Sequence, residues 1–301
     1  MAEYTNLTSL QGLSVGDIIT YDTTTAIDFK GYKVKVELHG KNSSKEGTSA
    51  GLPVTKTAIG GLTTAIVDSS KTASKIFTVV YGTDTRTGRC DLCYGDSSDL
   101  YYRILTVGFA SMASGLSGDS KLGRNGGGET GSNNLANPNG KKGTQTSGGA
   151  GGGTSVLGYA GAGGFGYGGT KKSDGTDGSY GWYGGGGGYG ASGGSGSGFV
   201  IGVTTTTYPS GYLGDDTSLQ ETIAASITEG STTLGGATKS TATAPAIVLT
   251  IIEVGETGSS QSVIKYYNGT DFIDTNAKYY NGSEFIDCDA YYYDGTEFIK
   301  I

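Results

Sequence analysis

Residues 181–190 read GWYGGGGGYG, and this stretch limits the structures that the central part of the chain can adopt. It belongs to a block, residues 121–200, in which 32 of the 80 residues are Gly, against 25 in the other 221. Because Gly loses more backbone entropy on folding than any other residue, such a composition normally indicates a flexible linker. A disordered linker is therefore the first interpretation to consider.

Large aromatic residues interleave with these glycines and favour an ordered alternative. They are Tyr159, Phe165, Tyr167, Tyr180, Trp182, Tyr183, Tyr189 and Phe199. Linkers rarely carry so many rings, since exposed apolar surface is costly. Gly-rich chains can instead form left-handed helices with three residues per turn, which pack so closely that their main chains bond to each other. We therefore predict a rigid bundle of polyglycine helices in residues 121–198.

Strand patterns flank the block on both sides. Residues 32–39 alternate, with Val34, Val36 and Leu38 on one face, which is the period of a half-buried strand. Residues 246–254 are mostly β-branched and apolar and predict a central strand. Further strands are predicted at residues 17–21, 62–67, 76–81, 89–94, 101–107 and 199–203.

These patterns predict an all-β protein, an antiparallel β-sandwich of the jelly-roll-like kind. Residues 1–120 supply its first strands and residues 199–256 its closing strands, so the glycine-rich residues 121–198 are an insertion. The abundance of Thr, Ser and Tyr fits strands and turns better than helices.

Residues 263–301 contain a repeat with a period of 13. The sequence YYNGTDFI at 266–273 returns as YYNGSEFI at 279–286 and as YYDGTEFI at 292–299. Asn-Gly or Asp-Gly between β-prone runs is a strong hairpin signal, so we predict three β-hairpins. Hairpins this small cannot bury a core alone. They have to stack on each other, on the rest of the chain or on other subunits, and we expect a homo-oligomer, with a trimer as one candidate.

Charge and hydropathy narrow the classes of function. A formal net charge of −7 argues against a nucleic-acid partner, which requires a basic face. No apolar run approaches the roughly 20 residues that span a bilayer, so we expect no membrane insertion. The N-terminus, MAEYTN, resembles no secretory signal. A chain made in the host cytoplasm without a signal but suited to the outside fits a virion part released by lysis.

Three cysteines raise the question of a metal or redox site. Cys90 and Cys93 have C-x-x-C spacing, but a structural zinc needs four ligands, and only His39 and Cys288 remain, both remote in sequence. The surrounding residues read as a strand instead of the start of a helix in a βαβ unit. We therefore interpret the thiols as structural or incidental and expect no metal.

Two further motifs match functional patterns but are better explained without a function. Residues 161–166 match the dinucleotide fingerprint G-x-G-x-x-G, but chance explains this in a Gly-rich block with no strand–helix unit around it. Asp215 and Asp216 could form a glycosidase pair, but adjacent acids in a GDDT sequence are more often a solvated turn. We predict no catalytic residue, no cofactor and a non-enzymatic protein.

The aromatic residues of the block are the candidate ligand-binding set. Flat, rigid rings stack on the apolar faces of sugars at a low entropy cost. The alternative is that the rings simply pack against the sandwich. The residues predicted to bind a ligand are Phe165, Tyr167, Tyr180, Trp182, Tyr183 and Tyr189.

Three segments resemble a known family. They are YKVKVELHG at 32–40, the glycine run 181–190 followed by GSGFV at 196–200, and the strand 246–254. Together they resemble the glycine-rich domain family of phage tail adhesins, a module also found in animal receptor tyrosine kinases of the anaplastic lymphoma type. The family's first strand usually ends in an aromatic–Gly pair, and His39-Gly40 departs from this. The tandem Tyr-Tyr-Asn-Gly units resemble C-terminal repeats in tail proteins of phages that infect Gram-positive hosts.

The resemblance implies a β-sandwich carrying polyglycine helices, and binding to a host surface. The predicted function is that of a phage tail fibre, tip or baseplate protein whose glycine-rich tip binds a bacterial cell-wall glycan or surface protein. Its other partners would be virion tail proteins. The alternative is a purely structural virion protein that decorates or assembles a tail or head. An enzyme such as a depolymerase is the third class, and no convincing acid pair supports it.

Overall fold

The computed structural model describes residues 1–49, 52–115, 123–128, 130–131, 140–156, 158–204, 207–232 and 244–254, and six short strands between 264 and 300. The chain divides into two compact units, Met1–Gly255 and Glu256–Ile301. It is mostly β, with 34% of its residues in strands and 9% in helical conformations.

The described part of the first unit contains fifteen strands and one α-helix. In chain order the strands are β1 (Glu3–Thr5), β2 (Ile18–Tyr21), β3 (Thr25–Asp28), β4 (Lys33–His39), β5 (Ser43–Ser49), β6 (Leu52–Ala58), β7 (Leu62–Asp68), β8 (Ile76–Tyr81), β9 (Cys90–Tyr94), β10 (Arg103–Thr106), β11 (Gly153–Thr154), β12 (Gly158–Tyr159), β13 (Phe199–Val200), β14 (Ile227–Thr232) and β15 (Ala246–Glu253). The helix α1 spans Thr217–Ser226, and short 3-10 turns lie at Ser69–Lys71, Leu100–Tyr102 and Tyr212–Asp215.

The larger sheet has six strands in the order β1-β2-β15-β4-β7-β14. All neighbours are antiparallel except β1 and β2. The interior position of β15, between β2 and β4, confirms the prediction of a central strand. On β4 the side chains of Val34, Val36 and Leu38 are fully buried, which confirms the face predicted from their alternation.

The second sheet has five antiparallel strands in the order β13-β10-β9-β8-β3. A single cluster of buried apolar side chains draws on both sheets, for example Val36 and Leu249 from one and Phe77 and Leu92 from the other. Each such side chain contributes about 1.5–3 kcal/mol by leaving water. Pairing of Leu105 with Val200 makes β10 and β13 neighbours, so the glycine-rich residues leave and re-enter the fold at adjacent strands.

Two predicted strands are clearly shorter in the structure, and one predicted turn also begins a helix. The strand predicted at 101–107 is shortened to β10, because Asp99 caps a 3-10 turn by accepting a hydrogen bond from the Tyr101 N–H. The strand predicted at 199–203 ends at Val200, before Gly202 with φ 68°. The turn predicted at Asp215 and Asp216 is exposed, and Asp216 also begins α1 by accepting from the N–H groups of Ser218 and Leu219.

The described residues between 123 and 198, here called the glycine block, are joined mainly by main-chain hydrogen bonds. Residues 184–188 lie at their centre, and their N–H groups donate to neighbouring segments in turn. The acceptors are the carbonyl oxygens of Gly164, Ser179, Lys141, Gly161 and Thr176, in that order, at 2.8–3.0 Å. The first and fourth acceptors share one segment and the second and fifth another, so the direction of donation repeats every three residues.

The carbonyl groups of residues 184–188 repeat in the same way. They accept from the N–H groups of Gly149, Gly169, Gly194, Gly152 and Lys172, in that order, at 2.8–3.0 Å. Segments 149–152 and 169–172 each supply two of these donors, three residues apart. All ten polar groups of the central residues are therefore satisfied by main chain, which avoids the cost of burying unpaired amides.

Close approach explains why these positions are Gly. A Cβ atom on Gly186 would lie 2.1 Å from the carbonyl oxygen of Ala150, and one on Gly187 would lie 2.1 Å from that of Thr170. No side chain fits at such distances unless the main chains separate and lose their hydrogen bonds.

The second unit contains three two-stranded antiparallel sheets. Their strands are β16 (Ile264–Tyr267), β17 (Phe272–Thr275), β18 (Lys278–Tyr280), β19 (Phe285–Asp287), β20 (Tyr291–Tyr293) and β21 (Phe298–Lys300), paired in sequence. The register repeats, since Tyr267 pairs with Phe272, Tyr280 with Phe285 and Tyr293 with Phe298. The predicted Asn-Gly and Asp-Gly turns lie outside the described residues, as does Cys288.

Candidate functional site

The six residues predicted to bind a ligand fall into three places. Tyr180 and Trp182 are fully buried in the core cluster. Their rings are inaccessible in this structure, so the prediction of direct ligand contact does not hold for these two. Phe165, Tyr167 and Tyr183 lie together near the sheet, and Tyr189 lies at the opposite end of residues 184–188.

Trp182 attaches the glycine block to the five-stranded sheet. Its ring stacks on Phe199 of β13, with centroids 3.7 Å apart and planes 8° apart. Its Nε1 donates to the carbonyl oxygen of Gln145 at 3.1 Å, so the buried indole is satisfied. This is the alternative that the sequence left open for the rings, packing against the fold.

Tyr180 belongs to a buried polar network between the block and the sheet. Its hydroxyl donates to Oδ1 of Asp91 at 2.5 Å and accepts from Nη1 of Arg103 at 3.1 Å. Nε of Arg89 donates to Oδ2 of Asp91 at 2.7 Å. Burial lowers the pKa of Arg89, but the Asp91 carboxylate outweighs this and the net pKa is raised. Every residue of β9 and β10 is buried because the block covers their outer face.

The two described cysteines are free thiols inside β9. Burial raises the pKa of Cys93 to about 12 and that of Cys90 well above its usual value. Protonated thiols are poor nucleophiles and poor metal ligands, so these positions fit the structural interpretation. The described residues contain no group of three or more side chains suited to hold a metal ion.

Four partly exposed rings form a surface here called the aromatic patch: Tyr101, Phe165, Tyr167 and Tyr183. The Phe165 ring centroid lies 5.3 Å from that of Tyr101 and 5.5 Å from that of Tyr183. Tyr167 covers the backbone at Gly164, where a Cβ atom would meet its ring at 2.3 Å. Tyr101 keeps 39% of its area exposed and Tyr167 keeps 46%. Sequence reasoning missed Tyr101 because it placed that residue in a strand.

Arg103 of β10, which is fully buried, packs against the inner face of the patch. The guanidinium carbon lies 4.3 Å from the Phe165 centroid and 4.7 Å from that of Trp182. The guanidinium N–H groups of Arg103 donate to the carbonyl oxygens of Leu100, Gly181 and Trp182. A cation between two ring faces is a favourable contact that is stronger when buried, so the position of Phe165 is well determined.

At the other end of residues 184–188, three loops meet, here called the distal loops: residues 154–159, 171–175 and 189–190. Lys172 N–H donates to the Gly188 carbonyl at 3.0 Å, and Gly190 N–H donates to the Lys172 carbonyl at 3.3 Å. The ammonium of Lys172 lies 5.9 Å from the Tyr189 ring centroid. Residue 157 lies outside the described part of these loops.

The distal loops expose a mixture of rings and charges. Val156 is 90% and Tyr159 62% exposed, and Tyr189 is half-buried. Lys171 and Lys172 are exposed, and Oδ1 of Asp177 accepts from the Lys171 N–H at 2.6 Å. A ligand would meet ring faces, ammonium groups and main-chain polar groups here. Tyr159 is among the eight aromatic residues of the block but not among the six predicted to bind.

No protein-family model, no curated protein and no solved structure matches this chain. Among its described residues, none of the helices has the length and apolar character needed to cross a bilayer.

Proposed function

We propose that the glycine block is a bundle of polyglycine helices inserted into an antiparallel, jelly-roll-like β-sandwich. The three-residue repetition of donors and acceptors along 184–188 supports this, because three residues per turn is the period of such a helix. The shared core of the two larger sheets and the pairing of β10 with β13 support the sandwich and the insertion.

On this fold the chain acts as a non-enzymatic phage tail protein, in a fibre, tip or baseplate, that binds the surface of a bacterial host. The observation that carries the proposal is the presentation of the distal loops, with exposed Tyr159 and half-buried Tyr189, at the end of a segment bonded on all sides by main chain. A rigid support reduces the entropy lost when loops bind, so a small contact area can suffice.

The partner is a cell-wall glycan or a surface protein of the host. Exposed tyrosine rings next to lysine side chains suit both, because they combine apolar faces with hydrogen-bond donors. The side chains that the described distal loops offer are Thr, Ser, Val, Tyr, Lys and Asp, a set suited to recognition.

A structural role in the virion, as a tail or head assembly protein, is the second candidate. The three two-stranded sheets of the second unit favour it, because two-stranded sheets are marginally stable alone and gain stability by packing against other elements or chains.

Adsorption of the purified chain to bacterial cells distinguishes the two candidates. The variant carries Tyr159→Ala and Lys172→Ala, and Ile76→Ala on β8, which is 40% exposed, is the control. We expect the double variant to lose about tenfold or more in apparent affinity for cells that the wild type binds, and the control to keep its affinity. Full adsorption by the double variant would favour the structural role.

A further inference from the structure

We infer that the aromatic patch is a second binding site, separate from the distal loops, and that it takes an uncharged pyranose chain. The inference rests on the proposed function and deepens it by naming a ligand class and a second surface. Its geometry is the Phe165 ring, with the ring centroids of Tyr101 and Tyr183 at 5.3 and 5.5 Å. The Tyr167 ring lies over Gly164, the residue before Phe165.

Exposure distinguishes these rings from those that only complete the core. Trp182, Phe199 and Tyr212 lie just beneath and are fully buried. Tyr101 and Tyr167 keep 39% and 46% of their surface exposed to water. Tyr101 packs against the Phe165 ring and Tyr167 against the main chain at Gly164, and neither contact buries the ring completely. Contiguous apolar surface left exposed on a folded protein marks interaction sites.

The patch is rigid before any ligand arrives. Phe165 is fixed by Arg103 on one side and by the edge of Trp182, whose centroid is 4.8 Å away at 80°. Phe165 and Tyr183 are joined by a main-chain bridge, as are Gly164 and Tyr167. Ordered rings lose little entropy on binding, which is the property that a stacking platform for sugars needs.

The chemistry at the patch favours an uncharged ligand. Arg103, the cation in contact with Phe165, is fully buried, and its N–H groups bond to three carbonyl oxygens and the Tyr180 hydroxyl. It therefore cannot reach a phosphate or carboxylate outside. The tyrosines offer hydroxyl groups that both donate and accept, which matches sugar hydroxyls, and ring faces that match the C–H faces of a pyranose. Single-stranded nucleic acids and anionic membranes both call for several exposed cations. Main-chain hydrogen bonding brings one half-exposed cation to this region, Arg86, whose carbonyl oxygen accepts from the Gly168 N–H.

The test uses the full chain and a panel of neutral oligosaccharides of glucose, galactose, mannose and N-acetylglucosamine, with hyaluronan as an anionic comparison. Binding is followed by saturation-transfer NMR and by protein fluorescence. The variants are Tyr101→Ala with Tyr167→Ala, the ring-preserving Tyr101→Phe, and Ile76→Ala on β8, an exposed control outside both proposed sites. We expect the double Ala variant to lose about tenfold in affinity for a bound neutral sugar, with the other two close to wild type.

Each outcome decides the inference. Loss in the double Ala variant with retention in Tyr101→Phe and Ile76→Ala supports it. It is overturned if no neutral sugar binds at millimolar concentration, if hyaluronan binds more tightly, or if the double Ala variant keeps the affinity of the wild type. Cell adsorption that needs Tyr101 and Tyr167 while no panel sugar binds would assign the patch to a protein receptor. Failure of the patch therefore leaves adsorption through the distal loops, and with it the proposed function, open to its own test.

Discussion

Asp91 is the residue on which the contact between sheet and glycine block depends most directly. Its two carboxylate oxygens accept from Tyr180 of the block and from Arg89 of the sheet, and Arg103 joins the network through the same Tyr180 hydroxyl. Asp91 and Arg103 are fully buried. Charges taken out of water are tolerated only when they are paired and hydrogen-bonded, so the network fixes how the block sits on the sheet.

Removing the charge of Asp91 should destabilise the protein strongly. In Asp91→Asn the amide keeps its size, but Arg89 and Arg103 lose the negative charge that compensates them. We expect the free energy of unfolding to fall by about 3–5 kcal/mol, measured by urea denaturation. Asp174→Asn, at an exposed position of the distal loops, is the matched control and should change it by less than about 0.5 kcal/mol. Equal unfolding midpoints for Asp91→Asn and wild type would contradict this account of the network.

At the residue scale, the sequence shows where the aromatic residues are but not which of them are buried and which are exposed. Trp182 and Tyr183 are adjacent in sequence, yet one is fully buried and the other partly exposed. Ring burial depends on Phe199 and Arg103, which come from strands on either side of the block. Such contacts are set by the path of the chain, and no local pattern encodes them.

At the element scale, the central residues 184–188 are held by main-chain bonds on all sides. Their N–H groups bond at 2.8–3.0 Å and their carbonyls are equally satisfied. Of the five N–H groups that donate to their carbonyl oxygens, four form two pairs spaced by three residues. An ordinary strand does not have this spacing, because its side chains and bonding directions alternate with a period of two.

Amide hydrogen exchange tests whether this element is ordered in solution. We expect the N–H groups of residues 184–188 to exchange at least about a hundredfold more slowly than those of the exposed residues 173 and 174, because they open only when the block separates. Exchange by mass spectrometry or NMR measures this directly. Rapid exchange across residues 184–188 would show that the segment is a flexible tether.

Gly186→Ala supplies the matching perturbation for that experiment. Its Cβ atom would lie 2.1 Å from the Ala150 carbonyl oxygen, so protection along 184–188 should be lost or greatly reduced. Ala162→Ser, at an exposed position of the same block, should leave protection unchanged.

Elements with a clear period were predictable, and those without one were not. The strands β4, β8 and β15 lie where alternation or β-branched runs placed them. Residues 43–49, SSKEGTS, form β5 without any apolar period, and α1 was not predicted, because its Thr- and Ser-rich sequence has weak helix propensity. Capping by Asp216 and burial of Ile223 stabilise that helix, and burial is a tertiary effect.

At the scale of the whole molecule, the chain combines a large unit with its own core and a small unit of three two-stranded sheets. Two-stranded sheets are marginally stable by themselves. We therefore expect the second unit to gain stability from contacts among its own repeats or with other copies of the chain.

Removing residues 256–301 should separate assembly from folding. Because Met1–Gly255 is a compact unit, we expect the truncated chain to keep its unfolding temperature within about 3 °C of the corresponding transition in the full chain. If the hairpins mediate a homo-oligomer, light scattering after size exclusion should show an oligomer for the full chain and a monomer for the truncated one. The same oligomeric state for both would remove the hairpins from assembly.

The sequence by itself determined the β-rich class, the strongest strands, the place where the glycine block interrupts them and the 13-residue repeat. These follow from periodicity and composition, which act over a few neighbouring residues. Only the tertiary structure decided that Tyr180 and Trp182 are buried, that Tyr101 joins Phe165, and that the loops around Tyr159 and Tyr189 meet. A Gly-rich segment has few side chains, so its sequence carries no apolar pattern that would indicate which segments it packs against. Its packing is specified by main-chain hydrogen bonds between segments far apart in sequence.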